Sequence, residues 1–158
     1  RWSNYYADIF NKVTAFEPAD YNIECFKKNT QERTNITLNE YGLSDKPGKG
    51  NLSVAIGEHL GSTRVHPSVD GNIVLKTLDS HHYDHVDVLK VDVEGLEIPV
   101  LNGARETLAR CSPIIVIERC VLNSTAYGYS KNDSHVLLEQ LGYSRQVKIT
   151  RDCIYIKK

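Results

Sequence analysis

Four acidic side chains stand at positions where a folded chain can do chemistry. Glu17 follows the apolar run VTAF, Asp92 and Glu94 close the run VDVLKVDV, and Glu118 follows PIIVI. Each run is patterned as a buried strand, so each acid falls at a strand's carboxyl end. Ligands of open α/β sheets bind outside those ends, at the switch point of the sheet. An ionised carboxylate only accepts hydrogen bonds, which suits Glu17 to the two hydroxyls of a ribose. The same residue could instead complement the dipole of the helix that follows it. His81, His82, Asp84 and His85 form a second dense group. Imidazoles and a carboxylate suit a transition metal, but a short connection before a buried strand equally suits a solvated, capping role.

The elements that must position these groups are legible in outline. Apolar residues at helical spacing run from Trp2 to Phe10. A strand is expected over Lys12–Phe16, stopped by Pro18, and a helix from Asp20 to Gln31. Ile36–Leu43 reads as one strand. The stretch 45–71, rich in Gly, Ser, Pro and Asp, reads as loop around one short strand at Leu52–Ile56. Ile73–Leu78 reads as a strand, with Asp79 capping a turn through the histidines. Val86–Val93 is nearly continuous in apolar residues, as when both faces of a strand are covered. One helix over Ile98–Arg110, a strand at Pro113–Ile117 and a helix over Lys131–Leu141, stopped by Gly142, follow. Ser144–Ile149 and Cys153–Ile156 read as a closing antiparallel pair. Strands alternating with helices predict one α/β domain over residues 1–158, with a mostly parallel, Rossmann-like sheet and helices on both faces.

Composition narrows the partners. The 158 residues are 41 % apolar and 25 % charged, with 19 basic and 20 acidic side chains and a net charge of -1. Such a balance gives no reason to expect nucleic acid. No apolar run approaches the length of a membrane span. Cys25, Cys111, Cys120 and Cys153 make no C-x-x-C pair, so reduced thiols of a cytoplasmic protein are expected. The N-x-S/T triplets at Asn35, Asn51, Asn123 and Asn132 would matter only in a secreted protein.

The order VTAFEP, GLSD, TLD, VLKVDVEGLEIPVLNGA, PIIVIE and LGY, from Val13 to Tyr143, resembles the FkbM family of S-adenosylmethionine (SAM) methyltransferases. The segment KVDVEGLE is the most specific, because acids flanking a glycine at a buried strand's end are hard to obtain from packing alone. In that family a strand and a D-x-G-A-x-x-G loop precede the region matching Arg1–Phe10. The chain has no Met and begins Arg1-Trp2-Ser3. The resemblance therefore implies that the first, central strand and its glycine loop are missing.

The resemblance also implies roles. Glu17 would hold the SAM ribose, Leu43 and Ser44 would lie near the adenine, and Asp92 would stand close to the sulfonium. Glu94 would face the substrate, and Glu118 would occupy the neighbouring tip. The implied reaction is methylation of an oxygen on a sugar or other small hydroxylated acceptor, with Asp92 or Glu94 as base. On ligand type alone, Asp92, Glu94 and Glu118 could instead hold a divalent cation that polarises the acceptor. Ser62-Thr63-Arg64, Tyr127 and Tyr129 could line an acceptor pocket, and Arg119 could pair with an anionic group or form a surface salt bridge. Two other readings are a truncated or degenerate binding module of the same fold and a dinucleotide-binding Rossmann enzyme. The antiparallel closing pair argues against the latter.

Overall fold

Residues 2–54, 63–118, 125–130 and 132–158 are described by the computed structural model. They cluster into two compact units, Arg1–Gly42 with Gly48–Leu75 and Leu43–Pro47 with Lys76–Lys158.

The first unit opens with α1 (Trp2–Ala7), β1 (Val13–Phe16), α2 (Asp20–Thr30) and β2 (Ile36–Asn39). β1 and β2 are parallel, in register from Val13↔Ile36 to Phe16↔Asn39, and α2 is the crossover between them. The exit of α1 leaves carbonyls without helical partners. The Asn35 side-chain amide satisfies one of them, donating to Ala7 O at 2.9 Å, and also donates to Phe10 O in the following turn at 3.0 Å. The side chain of this glycosylation-like triplet is thus committed to the fold. After β3 (Gly42–Leu43) come β4 (Gly48–Val54), β5 (Thr63–Pro67) and β6 (Ile73–Lys76). β4 pairs antiparallel with both β5 and β6. The turn into β6 needs Gly71, because a Cβ there would lie 2.2 Å from Gly50 O.

The second unit holds β7 (Val88–Val91), α3 (Glu97–Asn102), α4 (Arg105–Cys111), β8 (Ile114–Glu118), α5 (Asp133–Gln140), β9 (Tyr143–Ile149) and β10 (Asp152–Lys157). Its sheet has the order β7-β8-β10-β9. β7 and β8 are parallel, whereas β10 is antiparallel to both β8 and β9. The core draws on alternate strand positions: Ile115, Ile117, Cys153 and Tyr155 are fully buried, while Ile114 is 41 % exposed. Leu101, Leu108 and Leu138 bring the helices onto it. Tyr143 is sealed in this core with its hydroxyl 3.4 Å from Leu108 O, and burial pushes its phenol up to about 12.

Asp79 fastens the unit together. Its carboxylate accepts hydrogen bonds from Thr107 N and Oγ1 and from Glu106 N, at 2.7–3.0 Å. It therefore supplies the cap that α4 lacks locally, satisfying amides that would otherwise be orphaned at a helix start. Its own amide donates to Gly103 O at 2.9 Å.

Several expectations are corrected. The sheets are mixed rather than mostly parallel: β1/β2 and β7/β8 pair parallel, whereas β4/β5, β4/β6, β8/β10 and β9/β10 pair antiparallel. Ile36–Leu43 is two strands, β2 and β3, which join different sheets. The stretch 45–71 carries β4 and β5, where one short strand was expected. The single helix over Ile98–Arg110 is α3 and α4, interrupted at Gly103, whose backbone lies flat against the Ser44 carbonyl. Asp79 does start a 3-10 turn, Asp79–His81, but its side chain serves the remote α4.

A Cβ at Gly103 would sit 2.0 Å from Ser44 O, whereas one at Gly48 meets nothing within 4 Å. Gly103→Ala is therefore expected to cost about 3 kcal/mol, and Gly48→Ala to stay within about 0.5 kcal/mol. Urea unfolding of the two variants measures the difference.

Candidate active site

The β7/β8 register runs from Val88↔Ile114 to Val91↔Ile117. One step further along, Asp92 comes opposite Glu118. The β8/β10 register pairs Glu118 with Asp152. Three carboxylates thus stand side by side at one level, at the carboxyl ends of β7 and β8. A cation stands among them. Lys90 Nζ lies 2.8 Å from Asp152 Oδ1 and 3.7 Å from Asp92 Oδ2, with its side chain only 11 % exposed. Arg151 reaches Glu118 Oε1 at 3.8 Å from a largely exposed position.

Glu118 and Asp92 stand side by side at the tips of neighbouring strands. Burial pushes the Glu118 carboxyl above the ordinary glutamate range, the charge of Asp92 adds to this, and Lys90 opposes it.

Glu94 occupies the bend beyond the β7 tip. Its φ is 50° and that of Gly95 is 110°. Two successive residues of positive φ turn the chain sharply into α3. Gly95 tolerates this, while a side chain at Glu94 costs backbone strain. Glu97, 3 % exposed, closes the bend by accepting a hydrogen bond from Gly95 N at 3.0 Å.

Ser44 is 5 % exposed. Its amide donates to Lys76 O at 2.8 Å, its hydroxyl lies 3.1 Å from Asp45 Oδ1, and its carbonyl backs onto Gly103. Leu43 beside it is half-buried. In the first unit, Glu17 stands directly after β1, and its Oε1 accepts from Ala19 N at 2.9 Å. It therefore does serve the start of α2. Burial raises its carboxyl above the usual range, against the lowering effect of hydrogen bonds from Ala19 and Asn22.

Other candidates disperse. Among the described residues no three His, Cys, Asp or Glu side chains form a group able to hold a metal ion. Beside Asp92 the positive charge in this structure is the Lys90 ammonium, at 3.7 Å. In the histidine group, His81 stacks on Tyr83 at 5.1 Å, and burial followed by the charge of Lys76 lowers its pKa. His85 pairs with Asp87 in the open. Thr63 and Arg64 lie in β5, opposite Val54 and Ser53. Ser62 and Arg119 fall outside the described residues. Tyr127 and Tyr129 are half-buried in the segment before α5. An open cleft of about 460 Å³ lies at the amino ends of β1 and β2, lined by residues 7–11 and 32–35, the end of those strands away from Glu17.

Lys90, Asp152 and Glu97 are members of this site that sequence reasoning missed. Lys90 could have been found, since residues two apart on a strand share a face and K-x-D places Lys90 beside Asp92. Asp152 had no such signal, because its partner is set by the register of β10 on β8.

The family model of the methyltransferase FkbM domain matches residues 3–145. The chain belongs to the FkbM methyltransferase domain family. This FkbM domain is also similar in fold to the crystal structure of methyltransferase FkbM from Methylobacillus flagellatus KT, with a TM-score of 0.62 at 16 % identity. The alignment covers 93 % of this chain and 36 % of that one, so the chain spans little more than a third of its structural relative. No curated protein sequence matches it. Among the described residues no helix is long and apolar enough to cross a membrane.

A non-glycine residue in the left-handed region is strained by about 1 kcal/mol, and such strain persists at working sites for functional reasons. Glu94→Gly is accordingly expected to raise stability by about 1 kcal/mol, measured as the urea midpoint at constant slope. A fall in stability would mean that Glu94's own contacts outweigh the strain.

Proposed function

We propose that this FkbM domain transfers the methyl group of SAM to a hydroxyl oxygen of a sugar or another small hydroxylated metabolite. The observation that carries the reading is the pair of acids Asp92 and Glu118, side by side at adjacent strand tips, in a chain of this family. The family match runs through both compact units, so we read residues 1–158 as one catalytic domain. The free thiols of Cys25, Cys111 and Cys153 suit a cytoplasmic setting.

The side chains present fit the cofactor. Glu17 offers a partly desolvated carboxylate, an acceptor for ribose hydroxyls that retains its strength away from water. Leu43 offers apolar surface beside an adenine, and Ser44 holds that segment through its bond to Lys76. Asp92 would place negative charge near a sulfonium. SAM, when bound, supplies an already electrophilic methyl group. The work left to the protein is to orient the acceptor and receive its proton. Asp92 is the group for that proton, with Glu118 beside it to redistribute the charge. Glu94, held in its bend, is the second candidate base and would face the acceptor.

Calorimetric titration of S-adenosylhomocysteine into the protein tests the cofactor claim. Binding is expected, and Glu17→Ala should weaken it roughly tenfold to a hundredfold, the loss of one or two hydrogen bonds to a charged acceptor. Ribose hydroxyls donate to the ionised form of Glu17, so affinity should fall as the pH drops through its carboxyl pKa. Because that pKa is raised, the fall should begin above the ordinary value of 4.5. An affinity indifferent to both pH and Glu17 would remove Glu17 from the site.

A further inference from the structure

Lys90 is nearly enclosed, and its ammonium lies 2.8 Å from Asp152 and 3.7 Å from Asp92. Asp152 sits on the closing hairpin, 62 residues further along the chain, and is at the same time the cross-strand neighbour of Glu118. We infer that Lys90, anchored by Asp152, is a positioning residue that fixes where Asp92 stands beside Glu118. The inference deepens the proposed methyl-transfer reading, since it concerns the group that reading assigns as base.

Geometry makes the brace. A lysine side chain has four rotatable bonds, and holding it in one place costs entropy that a single shared contact does not offset. The Asp152 oxygen at close hydrogen-bond distance supplies the stronger hold, with the Asp92 carboxylate further off at 3.7 Å. The charged groups facing the acid pair come from every strand around it: Lys90 from β7, Arg151 from the hairpin turn, and Asp152 from the start of β10. Arg151 is 71 % exposed and its contact is long, so it is no substitute for Lys90.

Nuclear magnetic resonance on the isotope-labelled full chain, without cofactor or acceptor, tests this. In the wild type the Lys90 ammonium should give a protected signal, distinct from exposed Lys27, that shows a hydrogen bond to the Asp152 carboxyl. Asp152→Asn, nearly the same size, should lose that protection. Lys90→Met should move the Glu118 carboxyl titration upward, because the cation that opposes its rise is gone, and Lys90→Arg should restore it. If Lys90→Met does not fold, the Asp152→Asn arm decides. A Lys90 signal that exchanges like Lys27 in the wild type, or one unchanged in Asp152→Asn, overturns the inference. Titration of S-adenosylhomocysteine tests the methyltransferase reading separately, so failure of one leaves the other standing or falling on its own result.

Discussion

The register between β7 and β8 is the constraint on which the second unit's chemistry depends. Side chains alternate along a strand, so a slip of one residue would turn Lys90 and Asp92 to the opposite face. The register is secured from the buried side, where Val91, Ile115 and Ile117 are sealed from solvent. Fixing those apolar residues inward leaves Lys90, Asp92 and Glu118 at the tips with their charged ends together. The antiparallel addition of β10 then brings Asp152 to the same level. An arrangement of three acids around one lysine is costly to assemble without charge compensation. Here compensation comes from the Lys90 ammonium, 2.8 Å from Asp152 and 3.7 Å from Asp92.

A second layer of contacts keeps the tips in place. The sharp bend at Glu94 and Gly95 releases the chain from β7 into α3, and buried Glu97 closes it. Gly103 ends α3 by lying against the Ser44 carbonyl, and Asp79 caps α4 immediately afterwards. The segments GLSD, TLD and NGA, far apart in sequence, meet at this one junction. Their common feature is close backbone approach and cap geometry rather than catalysis. The segments carrying the family resemblance therefore divide into those that hold acids at strand ends and those that hold the strand ends still.

Much of this was legible in the residues. Long apolar runs identified β1, β7 and β8, and the acids closing them followed directly. Glycine at Gly142 marked the end of α5, and the closing hairpin was visible from its two apolar runs. What escaped was set by long-range register. The split of Ile36–Leu43 depends on two partners in different sheets, β4 is a polar, glycine-containing strand paired with both β5 and β6, and β5 is a short polar strand paired with β4. The sheet was read as mostly parallel because alternating strands and helices usually produce that arrangement. The antiparallel ladders come from segments whose pattern does not announce a partner. Lys90 was readable from its spacing to Asp92, whereas Asp152 required the fold.

Backbone amide shifts on titrating S-adenosylhomocysteine into the labelled protein test the central claim most directly, since they report where the ligand sits. The account predicts that the perturbed amides cluster at Glu17 and Ala19, at Leu43–Asp45 and at Asp92–Gly95. Perturbation confined to the cleft at residues 7–11 and 32–35, or none anywhere, would contradict it.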